Sequence, residues 1–154
     1  VFNSVSKWTE WCSSITSAAD SALCNSKTVV ADIDFTCILR TISPDRFLEN
    51  CDDAPPLTIQ AIRLTSNCVL VGVSAEPSVR YALELAKKNS SINWLLAGYC
   101  GDVFGYLPTE IQRKEGGYEG NEYLSRICSY GPLRPGLDTL WKSELNEIIR
   151  LLEL

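Results

Sequence analysis

One stretch of the chain decides the fold: CVLVGVSAEP at residues 68–77, where an apolar run ends in a polar turn. The run at residues 68–73 predicts a strand buried on both faces of a sheet. A helix is predicted to follow to Lys88, and then a second short apolar strand at residues 93–99. If the two strands are parallel, they form one right-handed βαβ unit with this helix. The residues predicted on the buried side of the helix are Val79, Ala82, Leu83 and Ala86.

Upstream of this unit the sequence predicts one helix and two strands. Residues 6–24 repeat apolar side chains at spacings of three and four, which is typical of an amphipathic helix. Apolar and polar residues alternate over residues 29–36 and predict a half-buried strand with two acids on its wet face. Residues 57–64 predict a strand that turns at residues 65–67 and continues into the buried strand.

Downstream of the unit, loops and helices are predicted to complete the domain. Residues 98–105 predict a loop with three glycines, residues 108–114 a short helix and residues 118–135 irregular chain. Residues 137–154 carry an amphipathic pattern and predict a final helix. The residues predicted on its buried side are Leu140, Trp141, Leu145, Ile148, Ile149 and Leu152. We therefore predict an α/β fold, a layered mixed β-sheet with flanking helices. In it, residues 1–154 are a single domain or half of a larger catalytic domain.

The composition narrows the classes of function. The chain has 154 residues, with 14 Lys and Arg against 19 Asp and Glu, for a net charge of −5. This acidic balance argues against a nucleic-acid-binding protein, which is expected to be basic. No apolar run approaches the roughly 18–20 residues of a membrane span, so we expect no transmembrane segment. The chain begins at Val1 and contains no Met, which predicts a missing segment upstream.

Histidine and cysteine usage argues against several chemistries. The absence of His removes Ser-His-Asp and Cys-His catalysis and imidazole metal ligands from these 154 residues. The seven cysteines include no Cys-x-x-Cys pair, which argues against a zinc ribbon and makes a redox function the weakest hypothesis. The cysteine pattern favours a reducing, cytoplasmic compartment.

Ligand sites on such sheets lie at the carboxyl ends of the strands, which here are followed by residues 74–77 and 98–105. Glu76 has two interpretations. It is either an acid in the first helical turn that complements the helix dipole, or a metal ligand or general base held at the sheet edge. The glycines of residues 98–105 lack the spacing of phosphate-binding loops, so a close backbone approach is favoured over nucleotide binding.

A second unusual stretch is EGGYEG at residues 115–120. It fits either a helix stop with a packed ring, or flexible glycines that present the Tyr118 hydroxyl at a site. A phenol binds a metal as phenolate only when the cation lowers its pKa. A calcium site is disfavoured, because the acids that suggest it lack the regular loop of oxygen ligands. These acids are Asp32, Asp34, Asp52 and Asp53.

Four segments occur in an order that resembles a known family. They are VGVSAEP (71–77), LLAGY (95–99), GYLPT (105–109) and EGGYE (115–119). This succession resembles the second half of the catalytic domain of the neutral/alkaline, non-lysosomal ceramidases. The resemblance runs from about Val29 to Tyr118, and the flanking helices extend it to most of the chain.

The resemblance implies a zinc-dependent amidase that hydrolyses the N-acyl bond of ceramide to a fatty acid and a sphingoid base. In this family pattern, Glu76 and Tyr118 correspond to two zinc ligands, and Tyr130 to a catalytic tyrosine near the scissile carbonyl. The two remaining zinc ligands, both His, belong upstream of Val1. The missing N-terminal half and an amide lipid are therefore the expected partners, and the isolated chain is expected to be inactive.

Two departures from the family pattern leave a second function open. Ser74-Ala75 stands where the family has Pro-Gly before the Glu. Gly101-Asp102 stands where the family has Asn-Gly. These changes leave the acyl substrate open. The alternative function is a non-catalytic binding or assembly module that keeps the ceramidase-like fold.

Overall fold

The structure is a computed structural model that describes residues 4–27 and 35–154. The chain divides into two compact units, Val1–Ala31 and Asp32–Leu154. The strand predicted over residues 29–36 lies almost wholly outside the described residues, together with two of the acids considered for calcium.

The described part of the first unit is dominated by one helix, α1 (Val5–Cys24). It confirms the helix predicted from the apolar repeat over residues 6–24. Ser4 caps its N-terminus, because the Ser4 hydroxyl accepts a hydrogen bond from the backbone N–H of Lys7.

The second unit mixes strands and helices along the chain. Its strands are β1 (Thr36–Ile42), β2 (Leu57–Thr65), β3 (Cys68–Val73), β4 (Glu76–Pro77), β5 (Asn93–Ala97) and β6 (Tyr106–Leu107). Its helices are α2 (Val79–Lys88), α3 (Glu110–Glu115), α4 (Tyr123–Arg126) and α5 (Leu137–Leu151). A 3-10 turn at Pro44–Arg46 and a π-helical turn at Tyr118–Glu122 complete it. The fold is α/β, as predicted.

Four strands form one mixed sheet in the order β1-β2-β3-β5. Strand β2 pairs antiparallel with β1 and β3, and β3 pairs parallel with β5 so that Val71 lies beside Leu96. The parallel pair confirms the expected βαβ connection, because β3, α2 and β5 follow one another in the chain. Strands β4 and β6 form a separate parallel pair that places Glu76 beside Tyr106.

One face of the sheet packs into the hydrophobic core. Ile59 of β2 and Val71 of β3 are fully buried, and α5 adds Trp141, Leu145 and Ile148. The buried side predicted for the final helix is therefore confirmed. Each of these side chains stabilises the fold by roughly 1.5–3 kcal/mol relative to its exposed state.

Helix α2 buries a different face from the one predicted. Its buried side chains are Tyr81 and Leu85. The predicted residues Val79 and Leu83 are 70% and 55% exposed. Of the other two, Ala86 is exposed and Ala82 half-buried.

The contacts of Tyr81 explain this orientation of α2. Its ring packs on Trp141 with centroids 4.8 Å apart, and its hydroxyl donates to the Pro108 carbonyl at 2.9 Å and to Asp138 at 3.1 Å. A tyrosine buries a large ring and gains partners for its hydroxyl, so it outweighs the smaller aliphatic side chains of the opposite face.

The segment predicted as irregular, residues 118–135, contains two helical pieces. A π-helical turn over Tyr118–Glu122 leads into α4, which buries Leu124. The turn packs tightly on α3, since a Cβ at Gly120 would lie 2.5 Å from the Gln112 carbonyl oxygen. A close approach of this kind requires glycine.

The opposite face of the sheet carries apolar side chains at its surface. One row crosses all four strands in register, and its members are Cys37, Ile62, Leu70 and Leu95. Cys37 and Leu95 are exposed, while Ile62 and Leu70 are half-buried. Leu39 lies on the same face and is 62% exposed.

Candidate functional site

The two loops predicted to hold a site meet at the carboxyl end of β3 and β5. The backbone N–H of Phe104 donates to the Ser74 carbonyl at 2.7 Å, and that of Glu76 donates to the Gly105 carbonyl at 2.6 Å. Tyr99 donates in the same way to the Ala75 carbonyl at 3.0 Å. These bonds fix residues 74–77 and 98–105 against each other, as the topology of the sheet predicts.

Glu76 lies in β4, half-buried, and not in a helix. Helix α2 begins at Val79 after Ser78, whose hydroxyl accepts from the backbone N–H of Arg80, and its first turn contains no acid. The interpretation of Glu76 as an acid of the first helical turn is therefore wrong. What holds Glu76 is the ladder to β6, where its partner is Tyr106.

Tyr99 adds a side-chain contact to Glu76. The Tyr99 hydroxyl donates a hydrogen bond to Oε2 of Glu76. This hydrogen bond, with burial and the charge of the carboxylate, raises the pKa of Tyr99 to about 12. Tyr99 is therefore a neutral phenol at physiological pH, and it leaves the negative charge of Glu76 in place.

Three tyrosines form a cluster next to Glu76. The ring centroids of Tyr106, Tyr118 and Tyr123 lie 5.4–5.7 Å apart, and each pair meets edge to face. Burial, and after it the charge of Glu76, raises the pKa of Tyr106. Tyr106 is thus both the strand partner of Glu76 and a ring neighbour of Tyr118.

Tyr118 combines the two roles that the sequence left open. Gly116 ends α3, since its backbone N–H donates to the Gln112 carbonyl, and the glycines at 116 and 117 have φ of 75° and 78°. The Tyr118 ring then packs against the cluster, yet the residue stays 54% exposed. The helix stop and the presentation of the ring at the surface occur together.

Two adjacent cavities border these residues. The first, of about 180 Å³, is lined by Glu76, Tyr106, Gln112 and Glu119 among others. The second, of about 370 Å³, shares Gln112 and Glu119 and includes Tyr118. Sequence reasoning missed Glu119, although it directly follows Tyr118. It also missed Tyr99 and Tyr106, because a hydrogen bond between two loops brings Tyr99 to Glu76 and the pairing of β4 with β6 brings Tyr106 there.

Tyr130 lies on the inner side of the 98–105 loop. Its ring stacks on Phe104 with centroids 5.6 Å apart, and its hydroxyl donates to the Phe104 carbonyl at 3.3 Å. Burial and a hydrogen bond with Cys128 raise the pKa of Tyr130. These contacts give Tyr130 a structural function, and its proposed catalytic function stays a prediction.

The potential metal-binding side chains at this edge are few. Across residues 4–27 and 35–154, no three His, Cys, Asp or Glu side chains group as metal ligands. The edge instead offers the carboxylates of Glu76 and Glu119 and the phenol of Tyr118, while the Tyr99 hydroxyl is bound to Glu76. Zinc takes four ligands and accepts carboxylate oxygen, so the two carboxylates are of a suitable chemical type but do not by themselves complete a zinc site.

No protein-family model, curated protein or solved structure matches the chain. The resemblance to ceramidases therefore stays a prediction that rests on the quoted sequence segments. Among the helices that the structure describes, none is both long and apolar enough to span a bilayer.

Proposed function

We propose that this chain is the second half of the catalytic domain of a zinc-dependent amidohydrolase that acts on a ceramide-like N-acyl lipid. The observation that carries the proposal is the placement of Glu76 at the carboxyl end of β3. There it pairs with Tyr106, whose ring contacts Tyr118. The two expected ligands are 42 residues apart in sequence (118 − 76), yet both neighbour one residue.

Glu76 and Tyr118 would hold the metal from this side. Bound there, zinc would polarise the amide carbonyl and lower the pKa of a water molecule. The chain's own residues prepare the site. Tyr99 holds one carboxylate oxygen of Glu76, and the rings of Tyr106 and Tyr123 support the Tyr118 ring at its edges. The Glu119 carboxylate lines the same cavities and adds negative charge that favours a cation.

A missing N-terminal half would complete the site. Two ligands do not close a tetrahedral zinc centre, so the remaining ligands are expected upstream of Val1. The apolar row Cys37–Ile62–Leu70–Leu95 supports such a partner, because exposed apolar surface on a sheet is a typical interface with another layer.

A second candidate function is a non-catalytic module with the same fold. The turn before Glu76 favours this function, because Ser74 and Ala75, which stand where the family has Pro-Gly, are part of the packed fold. The Ser74 hydroxyl accepts from the backbone N–H of Thr58 at 2.8 Å, and Ser74 and Ala75 are fully buried. A turn shaped by packing keeps its form whether or not a metal binds.

The experiment compares zinc content and N-acyl hydrolysis in the full-length protein and in its variants Glu76→Gln and Tyr118→Phe. We expect both variants to lose zinc and turnover while the circular dichroism spectrum stays that of the parent. Glu153→Gln, an exposed acid outside the site, is the control and is expected to behave as the parent. A parent protein that binds no zinc and hydrolyses no N-acyl lipid would favour the non-catalytic module.

A further inference from the structure

Tyr99 has a backbone conformation that its side chain disfavours. Its φ is +56°, in the left-handed region where residues other than Gly, Asn and Asp are uncommon. The residue before it, Gly98, allows a close approach: a Cβ there would lie 2.8 Å from both the Ala75 carbonyl oxygen and Pro77 Cδ. The end of β5 is therefore pressed against the turn that carries Glu76.

Tyr99 bonds to two consecutive residues of that turn. Its backbone N–H donates to the Ala75 carbonyl at 3.0 Å, and its hydroxyl donates to Oε2 of Glu76. The residue is 53% exposed, so burial of the ring does not explain why a tyrosine occupies a strained position. The backbone N–H groups of Tyr99 and Cys100 hold this conformation by donating to the Ala75 and Val73 carbonyls, and the contact that the tyrosine side chain adds is the hydrogen bond to the Glu76 carboxylate.

We infer that Tyr99 is a positioning residue, which orients the Glu76 carboxylate by holding one of its oxygens. The other oxygen is left for a cation at the cavity that Glu76 lines with Tyr106 and Glu119. The cation part of this inference rests on the proposed function. The orientation of the carboxylate does not, because it follows from the contacts of Tyr99 alone. Fixing the orientation of a ligand in advance is how residues behind a metal site raise its affinity.

The first test measures zinc affinity in the full-length protein by competition with a chelator. Tyr99→Phe keeps the ring and loses the hydroxyl, and we expect zinc affinity to fall about 10–100-fold. Tyr99→Gly removes the ring and relieves the left-handed strain. We therefore expect a similar loss of zinc affinity, with a melting temperature at or above that of Tyr99→Phe. Val103→Ala, an exposed apolar residue of the same loop, is the matched control and is expected to keep the affinity of the parent.

The outcomes separate this inference from the proposed function. If Glu76→Gln loses zinc but Tyr99→Phe binds it within twofold of the parent, the proposed function stands and the positioning function of Tyr99 is overturned. A parent protein without zinc overturns the proposed function, and with it the cation part of this inference.

A second test then decides the orientation of the carboxylate without any metal. Crystal structures of the metal-free parent and of Tyr99→Phe are compared at Glu76. We expect the carboxylate to change rotamer or to become disordered in the variant. An unchanged Glu76 rotamer in Tyr99→Phe would overturn the inference whatever the protein binds.

Discussion

Glu144 and Glu76 are both held by hydrogen bonds, but their partners carry different charges. Glu144 on α5 is 4% exposed and accepts from two guanidinium groups, Arg40 at 2.9 Å and Arg46 at 2.7 Å. Glu76 at the sheet edge accepts from Tyr99, a neutral phenol. The arginines neutralise the first carboxylate, whereas Tyr99 orients the second and leaves its charge for another partner.

This difference separates an acid that stabilises the fold from an acid suited to bind a ligand. Burial raises the pKa of Glu144, but the hydrogen bonds and charges of Arg46 and Arg40 outweigh that effect, and the pKa falls below its ordinary value. Glu144 thereby joins α5 to β1 and to the 3-10 turn at Pro44–Arg46. Replacing each acid by its neutral amide should therefore affect a different property.

The largest expected effect concerns Glu76. In Glu76→Gln, zinc affinity should fall by at least 10–100-fold, because a neutral amide replaces a carboxylate ligand and the loss of a supporting contact alone has that size. The free energy of unfolding should change by less than about 0.5 kcal/mol, since the amide keeps an oxygen for the Tyr99 hydroxyl. Zinc titration and urea unfolding of the same samples measure the two quantities. Unchanged zinc occupancy and turnover would overturn the assignment of Glu76.

The second-largest effect is expected at Glu144, where stability should change and zinc affinity should not. Glu144→Gln should lower the free energy of unfolding by about 2 kcal/mol. Removing one partner of a buried ion pair costs roughly 3–5 kcal/mol of folding free energy. The cost is smaller here because the two arginines are partly exposed. Zinc affinity should remain that of the parent.

Glu147→Gln is the control for this comparison. Glu147 lies on the same helix and pairs with Arg150 at the surface. Losing this ion pair is expected to leave the urea midpoint unchanged, because surface ion pairs contribute little to the free energy of unfolding. Equal midpoints for Glu144→Gln and Glu147→Gln would contradict the role given to burial.

A third prediction concerns the stability of the fold at low pH. Hydrogen bonds from Arg113 and from the backbone N–H of Gly136 lower the pKa of Glu110 to about 2, although burial opposes them. A carboxyl whose pKa is lowered in the folded state contributes stability above its unfolded pKa, and this stability is lost as pH falls through the folded pKa. Stability should therefore fall between about pH 4.5 and 2, and Glu144 acts in the same direction.

Urea midpoints between pH 5 and pH 2.5 check this prediction. In Glu110→Gln the decline should be shallower than in the parent, while Glu153→Gln should retain the parent's decline. A Glu110→Gln protein with the full decline would show that the pH dependence comes from other groups.

Local sequence patterns predicted the helices and strands better than they predicted which side of each element packs against the rest of the fold. The apolar run of β3 and the turn at residues 65–67 predicted the β2–β3 hairpin, and the spacing along residues 137–154 predicted the buried side of α5. On α2 there are apolar residues on both sides. The choice between them is made by Trp141 and Asp138, which lie more than 50 residues further along the chain.

The candidate site shows the same limit. Its position after a buried strand made Glu76 a candidate, and the paired glycines made Tyr118 one. Tyr99 and Tyr106 were not found, since a hydrogen bond across two loops and a parallel β4–β6 pair have no local periodicity. The π-helical turn that carries Tyr118 was also missed, because it depends on the close approach of Gly120 to α3.

The smallest expected effect is at Tyr130, where structural and catalytic functions make different predictions. Tyr130→Phe keeps the ring that stacks on Phe104 and removes the hydroxyl that donates to the Phe104 carbonyl. If that bond is the whole function of the hydroxyl, the free energy of unfolding falls by about 0.5–1.5 kcal/mol and turnover changes less than tenfold. If Tyr130 acts on the scissile carbonyl, turnover falls about 10²–10³-fold while KM is unchanged, as expected for a donor to a developing negative charge. Steady-state kinetics on the full-length protein, with urea unfolding of the same variant, decides between them. Because the hydroxyl already donates to a backbone carbonyl, we expect the first result, whereas a selective loss of kcat would support the catalytic assignment.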